Sequence, residues 1–71
     1  MTQAFVIPRR EIDAIERRIE LVKRAYAGIS VRYTFSPDSD EMVVVIKLDE
    51  RLIKHFVSSA QLNRYKEALP S

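Results

Sequence analysis

The stretch from residue 29 to residue 48 constrains the fold of this chain more than any other part of it. Apolar and polar residues alternate strictly in its first half, and its second half is rich in β-branched residues, so the pattern predicts two strands. The polar segment between them, residues 36–40, contains Pro and Asp and is typical of a turn. If Phe35 lies opposite Met42, eight apolar side chains share one face, and a slip of one residue destroys this match. These residues are Ile29, Val31, Tyr33, Phe35, Met42, Val44, Ile46 and Leu48.

The length and composition predict a single small domain over residues 1–71. A chain of 71 residues buries only roughly 60% of its unfolded surface, so contact with a partner or a second copy would add stability. The chain has no cysteine, which excludes disulfides and thiolate metal sites and is typical of a reducing compartment. Its 12 basic and 10 acidic residues give a net charge of +2, which is weak support for nucleic-acid binding.

No segment of the sequence predicts membrane insertion or secretion. The longest apolar run, residues 42–46, is far too short to span a bilayer. The first seven residues lack the charged and the long apolar regions of a secretory signal. We therefore expect a cytoplasmic protein that does not bind membranes.

A long helix is predicted before the hairpin. Residues 1–7 could form a short strand or a leader, and we expect a leader that packs weakly. Pro8 is suited to the first helical position, and Gly28, the only glycine, is suited to a left-handed cap after the helix. The helix is therefore predicted over about 9–27, with one apolar stripe at helical spacing. This stripe comprises Ile12, Ile15, Ile19, Val22 and Tyr26.

The segment from residue 49 to residue 57 fits two structures. As a helix it would have Asp49 as its N-cap and an apolar stripe of Leu52, Ile53, Phe56, Val57 and Ala60. As a strand it would extend the hairpin to a three-stranded meander, through a tight turn at residues 49–50. The S-x-x-Q pattern of residues 58–61 has the form of a capping box, so a last helix is predicted from Ser59 to about Leu69.

Part of the chain resembles a family of flagellar proteins. The segments 32–36, 42–49 and 53–56, followed by Ser58, resemble the conserved core of the bacterial flagellar FlaG family over about residues 31–62. The family's Thr-Gly turn is missing here, and Val57 stands where the family has proline. The resemblance implies a three-stranded meander and a non-enzymatic accessory protein that affects the filament, which would be exported to the flagellum.

The predicted fold class is therefore α+β. We expect a long N-terminal helix, an antiparallel β-meander of two or three strands, and a C-terminal helix packed on one face of the sheet. The resemblance favours the third strand, whereas the residues alone leave strand and helix open.

No motif predicts catalysis, a metal or a cofactor. The single histidine, His55, has no second His or Cys with which to form a zinc site or a nucleophile–base pair. Asp38, Asp40 and Glu41 form an acidic turn without the spaced ligands of a calcium loop. We therefore expect a protein that is not an enzyme and binds no cofactor.

The outward face of the predicted sheet is the candidate partner-binding surface. If Val44 and Ile46 point toward the helices, the residues between them point away, and a third strand would add two more apolar residues to that face. Such an apolar face predicts contact with another protein or with a second copy, unless residues 1–7 or the sheet's twist cover it. The candidate residues are Arg32, Val43, Val45, Lys47, Leu52, Lys54 and Phe56.

Three functions are considered. The expected one is a non-catalytic protein–protein interaction module, and a homodimer is the expected form. An αβββα order is also that of double-stranded RNA-binding domains, although the start of the last predicted helix has no cation before Arg64. The third is a small regulator that binds and occludes a larger protein.

Overall fold

The computed structural model describes residues 1–35 and 37–68. It contains a four-stranded sheet in which every adjacent pair of strands is antiparallel. The strands are β1 (Thr2–Pro8), β2 (Ser30–Phe35), β3 (Glu41–Lys47) and β4 (Lys66–Glu67), and their spatial order is β2-β3-β1-β4. The helices are α1 (Ile12–Val22) and α2 (Ile53–Ser59), so the predicted α+β class is confirmed.

The topology is a split βαβ arrangement. The strands β1 and β2 are both antiparallel to β3, so they run parallel to each other with β3 between them. The element order βαββαβ is the ferredoxin-like order: it contains the predicted order of helix, two strands and C-terminal helix, with β1 added before it and β4 after it. This arrangement supports many unrelated functions, so function has to be inferred from the surfaces of this chain.

The expectation that residues 1–7 form a weakly packed leader is wrong, because they form a central strand. β1 pairs with β3 along its whole length, from Thr2 opposite Lys47 to Pro8 opposite Glu41. Phe5 and Ile7 are 4% and 0% exposed, so this strand contributes to the core. The physical reason is the alternation of its residues, which places Phe5 and Ile7 on the inner face. The backbone N–H and C=O groups of β1 meanwhile find hydrogen-bond partners in β3.

The predicted hairpin register is confirmed. Phe35 lies opposite Met42, Tyr33 opposite Val44, and Val31 opposite Ile46. Val44 and Ile46 are completely buried, as expected for the inward face of a half-buried sheet. Ser36, at the start of the predicted turn, lies outside the described residues.

The first predicted helix is confirmed over residues 9–25. The helix α1 is extended by single 3₁₀ turns at Arg9–Glu11 and Lys23–Ala25. The predicted apolar stripe faces the core, and Ile15 and Ile19 are 1% and 0% exposed. Gly28 has φ +77°, a left-handed conformation that favours glycine.

The third strand that the resemblance implied at residues 49–57 is wrong, because the helix α2 forms there. The Asp49 carbonyl accepts hydrogen bonds from the Leu52 and Ile53 N–H groups at 2.9 and 3.0 Å, and its Oδ1 accepts one from the Arg51 N–H at 2.8 Å. These local bonds start the helix, because an aspartate side chain stabilises a turn at such a position. The helical stripe then reaches the core through Ile53, Phe56, Val57 and Ala60.

The last helix predicted from Ser59 to Leu69 is also wrong. Ser59 ends α2, and Gln61 follows in a left-handed conformation with φ 58°. This turn redirects the chain into a 3₁₀ turn at Leu62–Arg64 and then into β4. The turn therefore places Leu62 in the core, where it is completely buried. A helix that continued past Ser59 would direct this side chain away from the core. Leu69 itself lies outside the described residues.

Both helices pack on the same face of the sheet. The buried residues of α1 and α2 form one cluster with Phe5, Ile7, Val44 and Ile46. The rings of Tyr26 and Phe56 meet edge to face, with 5.4 Å between their centroids. The Tyr65 hydroxyl donates a hydrogen bond of 2.8 Å to Glu11, which joins the C-terminal segment to the turn before α1.

Replacing Gln61 with glycine should stabilise the domain. A left-handed residue with a Cβ is strained by roughly 1–2 kcal/mol, which exceeds the roughly 0.5–1 kcal/mol of extra chain entropy that glycine loses on folding. We therefore expect Gln61→Gly to raise the free energy of unfolding, measured with urea, by about 0.5–1 kcal/mol. The control Gln61→Ala keeps the Cβ and should change it by less than about 0.5 kcal/mol. If residue 61 lay inside a helix, glycine would instead destabilise the domain by about 1 kcal/mol.

Candidate functional site

The candidate site is the face of the sheet opposite the helices, here called the outer face. Residues directly opposite in antiparallel strands share a face, so the strand pairing identifies its members. Val45 lies between Arg32 and Ala4, and Val43 lies between Thr34 and Val6. The apolar centre of this face, here called the outer patch, comprises Ala4, Val6, Val43 and Val45.

No described helix covers the outer patch. The two helices pack on the inner face, where the alternate residues of β1 and β3 are buried. One alternative from the sequence was that residues 1–7 cover the outward side of the hairpin. They instead lie beside β3 and contribute Ala4 and Val6, so they widen the apolar surface.

Positive charges surround the outer patch. Arg32 and Lys47 are exposed residues of β2 and β3, and Lys66 of β4 lies opposite Val6. Among the described strand residues of this face, Glu41 is the single carboxylate. The ion pairs between described residues lie elsewhere, such as Lys23 with Glu20 at 3.0 Å and Arg51 with Asp49 at 3.2 Å. The outer face is therefore an apolar centre with a cationic rim.

The structure brings together four of the seven predicted partner-binding residues. Arg32, Val43, Val45 and Lys47 lie on the outer face.

The other three lie in or beside α2, on the opposite side of the sheet. Phe56 is completely buried in the core, Leu52 is 39% exposed, and Lys54 is exposed. The expectation that Leu52 and Phe56 belong to the outward face of the sheet is therefore wrong, and the reason is that residues 53–59 are helical.

Sequence reasoning missed Ala4, Val6 and Lys66. A signal for the first two was present, because Phe5 and Ile7 alternate with Ala4 and Val6 in the pattern of a half-buried strand. No comparable signal marked Lys66, since β4 has only two residues and both are charged.

Tyr33 carries a buried hydroxyl without a hydrogen-bond partner among the described residues. It lies on the inner face of β2, opposite Val44. Burial, reinforced by the negative charges of Glu16 and Glu20 on α1, raises the pKa of Tyr33 to about 12. The neutral phenol is therefore the form that the folded domain favours.

Two further contacts that involve carboxylates shift pKa values. Hydrogen bonds from the Arg51 side chain and backbone lower the pKa of Asp49, which lies in the turn before α2. Burial, followed by the hydrogen bond to Glu11, raises the pKa of Tyr65. Asp49 stabilises the turn before α2, and Tyr65 joins the C-terminal segment to the turn before α1.

The described residues contain no group of three His, Cys, Asp or Glu side chains that could hold a metal ion. His55 is exposed on α2. In the turn between β2 and β3, the Asp40 carbonyl accepts a hydrogen bond of 2.7 Å from the Arg9 N–H. Within the parts of the chain that are described, neither helix has the length and apolar character needed to cross a membrane.

Comparison of the chain with protein-family models, with curated proteins and with solved structures finds no match. Function is therefore inferred from the outer face and the edges of the sheet.

Replacing Tyr33 with phenylalanine should stabilise the domain. The change removes a buried hydroxyl without a partner, and such a group costs about 1–3 kcal/mol, so we expect the free energy of unfolding at pH 7 to rise by about 1 kcal/mol. The matched control Tyr65→Phe loses the hydrogen bond to Glu11 and should lower it by about 1 kcal/mol.

The pH dependence of unfolding provides a second measurement on Tyr33. Because its pKa is about 12 in the folded state and about 10 in the unfolded chain, the folded state binds the proton more tightly. The resulting stability is present below pH 10 and is lost as the pH rises from 10 to 12. The Tyr33→Phe variant should lose less stability over this interval, and equal losses in both proteins would contradict the assignment.

Proposed function

We propose that this protein is a non-catalytic protein-interaction module that binds its partner through the outer patch. The observation that supports it is an apolar centre on a four-stranded sheet whose two described helices pack on the opposite face. A half-open antiparallel sheet ordinarily has polar residues on its solvent face. A valine-rich centre with a polar rim is the composition of a protein-binding surface.

The charges of the rim indicate the chemistry of the partner. Arg32, Lys47 and Lys66 surround the patch, and Glu41 is the one carboxylate of the described strand residues on this face. If two copies met through this face, cations would approach cations, which opposes self-association there. We therefore infer a partner protein that presents an apolar surface flanked by aspartates or glutamates.

RNA binding is less well supported by this surface. Sheets that bind single-stranded RNA stack bases on aromatic side chains, and the described strand residues of the outer face include none. The αβββα order that suggested double-stranded RNA binding is not the observed order. The cationic rim remains compatible with phosphate contacts. The experiment below therefore distinguishes a nucleic-acid ligand from a protein partner.

Two specific roles remain proposals within this function. The flagellar resemblance suggests a partner in the filament and export to the flagellum, whereas a regulator would occlude a larger protein in the cytoplasm. Both roles require one protein surface that binds another, and the outer patch is the surface we assign to it.

The double variant Val43→Lys/Val45→Lys should lose partner binding while it keeps its fold. Two lysines introduce charge into the apolar centre, and they point away from the core, so a stability loss of only about 1–2 kcal/mol is expected. The matched control is Leu21→Lys, because Leu21 is 65% exposed on α1, in the helical layer. Immobilised proteins would be exposed to lysate of the source cells with and without nuclease treatment, and the proteins retained at low and high salt would be compared.

The proposal requires that the same protein be retained by the native chain and by Leu21→Lys, but not by the double variant. Urea unfolding would confirm that all three are folded. Equal retention by all three proteins would contradict a role of the outer patch. Binding that disappears after nuclease treatment would instead indicate a nucleic-acid ligand.

A further inference from the structure

The two edges of the sheet are built differently. The strand β4, at one edge, has two residues, Lys66 and Glu67, and both are charged and exposed. A very short, charged strand is one way in which proteins prevent pairing with other chains. The strand β2, at the other edge, has six residues and pairs with β3 without a bulge.

The edge of β2 lacks most of the features that protect an edge strand. It contains no proline, and its single charged residue, Arg32, points to the outer face rather than inward. Among the described residues, no other segment forms a backbone hydrogen bond with the free side of β2. A row of backbone donors and acceptors is therefore available to another strand.

Apolar surface is exposed beside this edge. The side chain of Phe35, the last residue of β2, is 55% exposed although it belongs to the inner face. The guanidinium carbon of Arg9 lies 4.8 Å from the centroid of its ring and covers it only in part. A strand added to β2 would cover more of Phe35.

We propose that two copies of this chain pair through β2, antiparallel and about a twofold axis at Tyr33, to form one continuous sheet. A twofold axis perpendicular to a sheet keeps inner residues opposite inner residues, so only a few registers are possible. With Tyr33 on the axis, Val31 lies opposite Phe35 of the second copy, and Arg32 lies opposite its Thr34. This register pairs the exposed phenylalanine with a β-branched residue, which is a favourable cross-strand pair.

One neighbouring register, with Thr34 on the axis, would pair only residues 33–35 of each β2, and the other is disfavoured by charge. If Arg32 lay on the axis, the two arginines would be directly opposite each other, which is destabilising. Phe35 would then lie opposite Ile29, which precedes the first residue of the opposite strand. The register with Tyr33 on the axis avoids both problems, and this self-complementarity is the reason for assigning a second copy rather than an unrelated peptide.

The charges on α1 do not prevent this pairing. Glu16 and Glu20 lie near Tyr33, so the carboxylates of the two copies would approach each other. Lys23 pairs with Glu20 at 3.0 Å and offsets part of that charge. The contact between the two β2 strands, here called the seam, is held by backbone hydrogen bonds and apolar pairs. High salt should therefore leave the dimer intact.

The seam lies along β2, so it leaves the outer patch of each copy open. The inference therefore does not rest on the proposed function. The double variant Val43→Lys/Val45→Lys should still dimerise, whereas a dimer held by the outer patch would be lost.

Charge substitutions at Thr34 test the pairing and its register together. Thr34 is exposed on the outer face, and the twofold axis makes each substitution act twice. Thr34→Lys would face Arg32 of the second copy and should raise the dimer dissociation constant by about tenfold, while Thr34→Glu should lower it by about tenfold. Solution mass by light scattering across a concentration series measures all three proteins.

A dimer that is tightest for Thr34→Glu, weaker for the native chain and weakest for Thr34→Lys supports the proposal. A native chain that stays monomeric at millimolar concentration would overturn it, as would a dimer that neither substitution affects. Circular dichroism of each variant would establish that the sheet is intact.

Cysteine cross-linking identifies the register independently, because the native chain has no cysteine. Residues directly opposite across a seam lie within disulfide distance, whereas diagonal neighbours do not. Under mild oxidation, a mixture of Arg32→Cys and Thr34→Cys chains should form the mixed dimer, and either variant alone should form little. Efficient cross-linking of Arg32→Cys alone, or no cross-linking in the mixture, would overturn the proposed register.

Discussion

The pairing of β1 with β3 is the interaction on which the rest of the structure depends. It joins residues about forty positions apart and forms the middle of the sheet, from Thr2 opposite Lys47 to Pro8 opposite Glu41. On the inner face, Phe5 and its partner Val44 form part of the core on which both helices pack. On the outer face the same two strands supply every residue of the outer patch. The pairing of β1 with β3 therefore contributes both to the core of the domain and to its candidate binding surface.

The two surfaces available for association follow from the order of the strands. With β1 and β3 in the centre, the valines and Ala4 meet in the middle of the outer face, and the cations of β2, β3 and β4 surround them. With β2 at one edge, a six-residue strand remains open to pairing. The proposed partner would contact the face and the proposed second copy would pair with the edge, and Arg32 of β2 is the residue that the two surfaces share.

Local patterns predicted the elements that local interactions stabilise. The hairpin register and the helix over 9–25 follow from periodicity alone. The predicted hairpin also contains Val43 and Val45, two of the four residues of the outer patch. The rest depends on contacts distant in sequence. A lone seven-residue segment does not identify β3 as its partner, and the two charged residues of β4 carry no strand signal. At residues 49–57 the hydrogen bonds of Asp49 and the burial of Phe56 favour the helix over the strand that the resemblance implied.

Hydrogen exchange of the β1 amides tests the central pairing most directly. If β1 lies between β3 and β4, the Phe5 and Val6 amides should exchange as slowly as those of Val44 and Val45, because central strands open only when the whole domain unfolds. Native-state exchange followed by NMR resolves each amide. Exchange of residues 2–8 at the rate of an unstructured chain, with β3 still protected, would contradict the pairing and the outer patch that depends on it.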